Sequence, residues 1–193
     1  MVTKPLLILS LIVSHAACGG DPPTADPSGA ASTHTRDANR AVASALPLGE
    51  MQSFEDARRG FIATDEPLKV TGPAGETVWD FEAYAFVDGD APDTVNPSLW
   101  RQAKLNGHHG LFEVVPGIHQ LRGYDISNMT LIEGRSGWIV VDPLTTRETA
   151  AAAIALARRH LGERPVSAVI FTHSHGDHFG GIEGVLPPGP MTV

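Results

Sequence analysis

The spacing of apolar residues along the middle of the chain changes from a strand period to a helix period. Between residues 111 and 141, apolar and polar residues alternate over short runs that are separated by turns containing glycine. This period of two predicts an antiparallel meander. The predicted strands are Leu111–Val115, Ile118–Leu121, Thr130–Glu133 and Trp138–Val141.

A helical period follows the meander. Ala150, Ile154, Ala157 and Leu161 form an apolar stripe, Thr145 with Glu148 predicts a capping box at its start, and Gly162 predicts its end. Val166–Phe171 then predicts a buried strand. Because a strand, a crossover helix and a second strand form a parallel pair, the fold class is α/β, a mixed α+β sheet covered by helices.

The region before the meander carries weaker signals. They predict a helix capped by Ser53, with Phe54, Ala57 and Phe61 at helical spacing; a hairpin of Leu68–Thr71 and Thr77–Phe81; and a helix with Asn96 as N-cap, Pro97 in its first turn and Gly107 as its stop.

The N-terminus predicts export. Lys4 precedes a short apolar stretch, so residues 1–18 are predicted to be a signal peptide and the chain to be exported to the bacterial periplasm or outer membrane. Small residues lead into Cys18, the only cysteine, as in a lipoprotein signal, although ordinary cleavage near Ala16 or Ala17 is the alternative.

Residues 19–48, rich in Pro, Gly, Ala, Ser and Thr, are predicted to be a flexible linker, with at most a short helix near Arg40–Ala45. The domain is then 49–193.

Charge narrows the range of partners. The chain of 193 residues has a formal net charge of −8 and no basic stripe, which argues against a nucleic-acid partner.

A dense cluster of metal-ligand residues follows the last predicted strand. The sequence FTHSHGDHFGG contains His173, His175, Asp177 and His178. In an extended segment the first two point to the same side and can bind one ion, while a turn at Gly176 lets His178 reach a second. Imidazole and carboxylate ligands favour zinc. Gly180 and Gly181 are expected to let the backbone turn close to the metals.

These residues carry a family resemblance. THSHGDHFGG resembles the His-x-His-x-Asp-His signature of the metallo-β-lactamase superfamily, and VVDPL resembles its preceding strand, with Asp142 at the end. Segments such as FEDARRGFIA, HGLFEVVPGIHQLRGYDISNMTLIEG and GWIVVDPLTTRETA are similar to the N-terminal region of bacterial alkyl sulfatases, with the likeness running from about Phe54 to about Leu186.

The resemblance implies an αββα catalytic domain with a binuclear zinc centre that hydrolyses long-chain alkyl sulfates. It implies that His173 and His175 bind one zinc, that Asp177 and His178 bind the other, and that Asp177 also orients the water nucleophile. Asp142 is then expected to brace the metal loop. The other histidines, His34, His108, His109 and His119, are expected to be solvated or packing residues, and no sulfate-binding residue is assigned, Arg122 and Arg135 being merely available.

The chain departs from the family pattern after the cluster. Further ligands, the second half of the sandwich, the dimerisation domain and a lipid-carrier-like domain follow in the family, whereas this chain ends at Val193. The expectation is therefore an incomplete, truncated N-terminal half of the αββα sandwich with impaired activity. Two alternatives stay open: hydrolysis of another substrate, a β-lactam or a thioester, or a non-catalytic exported lipoprotein fragment.

Overall fold

A computed structural model describes residues 29–186 of the chain. Within them the helices are α1 Thr33–Ala45, α2 Gln52–Arg58, α3 Pro97–Asn106, α4 Arg147–Leu161 and α5 Ile182–Val185. The strands are β1 Phe61–Ala63, β2 Lys69–Thr71, β3 Thr77–Asp80, β4 Gly110–Val115, β5 Ile118–Arg122, β6 Met129–Glu133, β7 Trp138–Val141 and β8 Val166–Ile170. Short 3₁₀ turns occupy Phe81–Tyr84 and Gly176–His178. No helix in this part of the chain has the length and hydrophobicity to cross a bilayer.

One sheet organises the structure, with strand order β1-β4-β5-β6-β7-β8. Strands β4 to β7 form the predicted antiparallel meander. Helix α4 then crosses over the sheet, so β8 pairs with β7 in parallel. The predicted α/β class is thereby confirmed, and so is the hairpin of β2 and β3.

The core lies between one face of the sheet and α4. Alanines at every third or fourth position let α4 approach the strands closely, and the predicted stripe residues Ala150, Ile154 and Ala157 are buried. Removing each large core side chain from water contributes roughly 1.5–3 kcal/mol. The sheet residues of this core are Leu111, Leu121, Met129, Leu131, Trp138 and Val140.

The opposite face of the sheet carries a second apolar row. Ile118, Ile132, Ile139 and Ala168 are directly paired across β5, β6, β7 and β8. None of them is buried, in contrast to the core face. We call these four residues, with Val141 and Ile170 beside them, the open face.

Strand β8 differs from its prediction as a buried strand. It lies at the edge of the sheet in the described part of the chain. Ser167 and Ala168 are exposed and Ile170 is 48% exposed. Val166 and Val169 pack against the core cluster, whereas the rest of the strand does not, because α4 covers one face of the sheet alone.

Two predicted helix starts are displaced from the positions that the sequence suggested. The capping box of α4 is formed by Thr146 and Thr149, since the Thr145 hydroxyl donates to Asp125 instead. Helix α2 begins after Met51, and Ser53 donates its hydroxyl to Glu50. The predicted helix caps and stop of α3, Asn96 and Gly107, are confirmed.

Phe61 belongs to β1, not to the preceding helix as its spacing suggested. Gly60 has a φ of 74°, in the left-handed region that favours glycine, and its backbone lies against Glu113. This turn ends α2 and directs Phe61 onto β4, where its ring packs at 5.5 Å from that of Phe112.

The segment predicted to be a flexible linker contains a helix of 13 residues, α1, far longer than the short helix expected near Arg40. Ser32 caps it by accepting from the Thr35 N–H, and Asn39 donates to the Asp93 carbonyl. Polar capping and a long-range contact thus order a segment whose composition alone argued for a tether. The predicted signal peptide and Cys18 lie outside the described residues, as do residues 187–193.

Candidate metal centre

The candidate ligands lie where two parallel strands end. Strand β7 is followed by Asp142, and β8 is followed by the segment Thr172–His178. The carboxyl ends of parallel strands meet at the same edge of a sheet, which brings residues 30 to 36 positions apart into contact. The Asp142 N–H donates to the Ile170 carbonyl at 3.0 Å and closes the pair.

All four predicted ligands lie close together. His173 Nε2 is 3.0 Å from His175 Nδ1, the rings of His173 and His178 are 4.1 Å apart, and His178 Nε2 is 3.2 Å from Asp177 Oδ2. The first two histidines are exposed, whereas Asp177 and His178 are half-buried.

The donor chemistry of this cluster fits a zinc ion, since it offers imidazole nitrogens and a carboxylate. In the part of the chain that the structure describes, however, no three His, Cys, Asp or Glu side chains are spread in the arrangement that holds an ion. The side chains instead bond to one another. The structure thus brings the four residues together, and their assignment as ligands remains a prediction.

Asp142 braces the loop, in the role expected for it. Its carboxylate accepts from the Thr172 N–H at 2.8 Å, the Thr172 hydroxyl at 2.6 Å and His178 Nδ1 at 2.8 Å. Burial by itself would raise the pKa of Asp142, but these hydrogen bonds outweigh it and hold the pKa below its usual value.

The Asp142 contact also fixes how His178 presents its ring. With Nδ1 directed to the carboxylate, Nε2 is the nitrogen that faces Asp177. The hydrogen bond to Asp142 raises the pKa of His178, burial opposes the rise, and the charges of Asp177 and Asp142 add to it. A carboxylate on the far nitrogen is the usual support of a metal-binding histidine.

The backbone between β7 and α4, beside the loop, is strained. Asp142 has a φ of 54° and Leu144 a φ of 67°, both in the left-handed region. Asp tolerates this conformation, but a fully buried leucine rarely adopts it. Such strain clusters at functional sites, where the surrounding structure holds it.

Glycines after the histidines seat the loop on α4. A Cβ at Gly180 would lie 2.2 Å from the Thr145 carbonyl oxygen, and one at Gly181 would lie 2.1 Å from that of Pro143. The Gly181 N–H donates to the Leu144 carbonyl at 2.9 Å. The lack of side chains at these glycines therefore allows close contact with the residues at the start of α4. The sequence had instead suggested that the glycines let the backbone approach the metals.

Asp125 and Ser127, in the turn between β5 and β6, were not singled out from the sequence. Asp125 accepts from the Thr145 N–H and hydroxyl and from the Thr149 hydroxyl. Ser127 donates its hydroxyl to the Asp177 carbonyl at 2.5 Å. The only local signal was the presence of polar residues in a turn between two apolar strands. The hydrogen-bond partners of Asp125 and Ser127 lie 20 to 50 positions away in the sequence.

The remaining candidates occupy packing positions or lie exposed on the surface. His108 lies edge-on to Phe54, His109 lies 4.1 Å from the Phe81 ring centroid, and buried His119 contacts Trp138. Arg122 lies over Phe112 and donates to Gln120 and the Ala57 carbonyl, while Arg135 is exposed. His34 is an exposed residue of α1.

A comparison with protein families places the cluster in context. Residues 122–193 match the metallo-beta-lactamase superfamily. The match covers the part of the chain that carries the candidate ligands. The resemblance seen in the sequence is confirmed.

Named relatives are alkylsulfatases. The linear primary-alkylsulfatase of Pseudomonas sp. is 46% identical over 186 residues, which are 95% of this chain and 27% of the relative. The (R)-specific secondary-alkylsulfatase of Pseudomonas sp. is 49% identical over 81% of this chain and 24% of its own length. The alkyl/aryl-sulfatase BDS1 of Saccharomyces cerevisiae is 47% identical over 79% of this chain and 24% of its own length.

A solved structure supports the same relationship. The stereoselective inverting sec-alkylsulfatase Pisa1 from Pseudomonas sp. matches with a TM-score of 0.75 and 49% identity, covering 82% of this chain and 25% of that protein. The chain thus spans about a quarter of the length of the alkylsulfatases that it matches.

Proposed function

We propose that this chain supplies part of the active site of a zinc-dependent hydrolase of long-chain alkyl sulfate esters. One observation carries the proposal: His173, His175, Asp177 and His178 converge at the end of β8 in a chain that is similar to alkylsulfatases over most of its length. Because the chain spans a quarter of those relatives, the activity itself belongs to the proposal.

In this proposal the four side chains divide between two zinc ions. His173 and His175 hold one ion, and Asp177 and His178 hold the other. Bound zinc supplies Lewis-acid chemistry and makes water available as a nucleophile at neutral pH. Asp177 orients the attacking water, and Asp142 keeps His178 Nδ1 protonated so that Nε2 is free to bind.

The ligand set in residues 29–186 is incomplete for catalysis under this proposal. Two protein ligands per ion are fewer than the three that catalytic zinc sites have. We therefore propose that further ligands come from protein outside these residues and that hydrolysis by this chain alone is impaired.

The decisive experiment measures zinc binding and turnover on the purified chain. We expect zinc to bind and His173→Ala to weaken binding at least about 10-fold, because each ion has few ligands. His34→Ala, a change to an exposed histidine of α1, is the matched control and should leave binding unchanged. Zinc binding that is equal in all three proteins would overturn the assignment of the site.

Substrate class is tested in the same preparation, with dodecyl sulfate against nitrocefin and a thioester. We expect slow, zinc-dependent hydrolysis of dodecyl sulfate. Preference for nitrocefin or the thioester would overturn the substrate, and bound zinc with no turnover of any of them would favour a non-catalytic fragment. Full activity at zinc saturation would show that the ligand set is complete.

We further propose that the chain is exported and lipidated at Cys18. The observation behind this is the apolar stretch after Lys4 and the small residues before the only cysteine. In a bacterial host, labelled palmitate should enter the wild-type protein, and Cys18→Ala should abolish its incorporation and release the protein from membranes. Labelling that persists in the variant would exclude Cys18 as the anchor.

A further inference from the structure

The loop with the candidate ligands is held on two sides. On the side of β7, Asp142 accepts from Thr172 and His178. On the other side, the turn between β5 and β6 reaches across, and the Ser127 hydroxyl donates to the carbonyl oxygen of Asp177 at 2.5 Å. Ser127 is 8% exposed, so water competes little for this hydrogen bond.

Asp125 anchors this turn. Asp125 is 9% exposed, and its carboxylate accepts from the Thr145 N–H at 3.1 Å, the Thr145 hydroxyl at 2.7 Å and the Thr149 hydroxyl at 2.8 Å. It also accepts from the N–H of its neighbour Ile126 at 2.7 Å. The turn is therefore tied to the first turn of α4, the same surface on which Gly181 rests.

Three hydrogen-bonded contacts link α4, the turn and the loop in a ring. Asp125 bonds to the start of α4, Ser127 in the same turn bonds to Asp177, and the Gly181 N–H donates to the Leu144 carbonyl just before α4. A displaced Asp177 carbonyl would break a nearly buried hydrogen bond, which makes the position of this residue well defined.

We propose that Ser127, presented by Asp125, is a positioning residue for Asp177 and His178. It acts through the backbone of Asp177 and sets where that carboxylate lies relative to the neighbouring imidazole. This inference rests on the proposed function for the identity of the ligands, but the contact from Ser127 to the loop can be tested without a metal.

The first test measures metal binding by the full chain with Co²⁺, whose visible absorption reports ligand geometry. We expect Ser127→Ala to weaken Co²⁺ binding about 10-fold and to alter the absorption bands, as loss of a supporting hydrogen bond around a metal site does. Ser167→Ala is the matched control. The Ser167 hydroxyl also donates to a backbone carbonyl, that of Trp138, but Ser167 lies in β8 and does not contact the loop through this bond. This variant should leave affinity and spectrum unchanged.

The second test measures amide hydrogen exchange in the metal-free chain. We expect Ser127→Ala to speed exchange of the Gly180 and Gly181 amides about 10-fold, the effect of losing roughly one hydrogen bond of support. The amides of β6 and β7 should keep their rates, and Ser167→Ala should not affect the loop.

The two tests distinguish failure of the proposed metal site from failure of the positioning role of Ser127. If the wild-type chain binds no Co²⁺, the proposed metal site of this chain fails, and hydrogen exchange still decides the role of Ser127. Unchanged exchange at Gly180 and Gly181 in Ser127→Ala would overturn the positioning role. So would loop exchange that rises equally in Ser167→Ala, or a Co²⁺ spectrum and affinity equal to the wild type.

Discussion

Tyr124 shows how a single buried side chain makes stability depend on pH. Its ring is fully buried and its hydroxyl donates to Asp65 Oδ2 at 2.7 Å. Burial raises the pKa of Tyr124 above its usual value of 10.0, and Asp65 raises it further. The folded protein therefore keeps a proton that the unfolded chain releases near pH 10.

We expect the fold to lose stability at high pH, because only the unfolded chain gains free energy by releasing this proton. The stability due to the raised pKa is fully present below the ordinary value and is lost as pH rises above it, at about 1.4 kcal/mol per pH unit. Tyr124→Phe should remove that slope, whereas Tyr84→Phe, at a side chain 47% exposed, should not. Urea unfolding between pH 9 and 11 measures it, and equal slopes in wild type and Tyr124→Phe would contradict the prediction.

At the scale of residues, the sequence revealed the candidate ligands but not what holds them. His173, His175, Asp177 and His178 stand within six positions, so their spacing alone suggested a site. Ser127 lies 50 positions before Asp177. A hydrogen bond over that separation depends on the complete sheet, which no local pattern contains.

At the scale of elements, the contact between the loop and α4 tolerates no side chain. A Cβ at Gly181 would lie 2.1 Å from the Pro143 oxygen and 2.6 Å from the Thr146 oxygen, whereas one at Gly176 would meet nothing within 4 Å. We expect Gly181→Ala to lower the free energy of unfolding by about 1–3 kcal/mol.

Gly176→Ala is the matched control in the same loop and should change the free energy of unfolding by less than about 0.5 kcal/mol. Urea denaturation followed by circular dichroism measures both variants. Equal stability of the two would mean that α5 and the loop do not rest on α4 as described.

Most element types followed from local patterns, whereas the bounds of the elements did not. The meander and the crossover were predictable because alternation and helical spacing reflect one core face. The start of α4 was predicted one residue early, because the Thr145 hydroxyl donates to Asp125 and Thr146 caps the helix in its place. Helix α1 was underestimated because its stabilising contacts, such as that of Asn39 with the Asp93 carbonyl, are distant in sequence.

At the scale of the whole molecule, the open face makes a prediction about association. Ile118, Ile132, Ile139 and Ala168 form a continuous apolar row, and Ile170 beside them is 48% exposed. A contiguous apolar surface that is only partly covered promotes association. We expect the purified chain to self-associate as its concentration rises and to bind a hydrophobic dye.

Ile170→Lys should reduce both effects by placing a charge on the open face. Leu99→Lys is the control, because Leu99 is 63% exposed but lies on α3, away from that face. Light scattering after size-exclusion chromatography measures the association. An equal reduction by both variants would indicate a general effect of charge.

The placement of all four candidate ligands in one six-residue segment has a consequence for folding thermodynamics. A metal stabilises a native state only by the difference between its affinities for the folded and the unfolded chain. Histidines and an aspartate this close in sequence can chelate zinc even when β7, β8 and α4 are unfolded. Zinc should therefore raise the melting temperature less than its native affinity suggests, and excess zinc should slow refolding by trapping chains in which the segment has closed on the ion first.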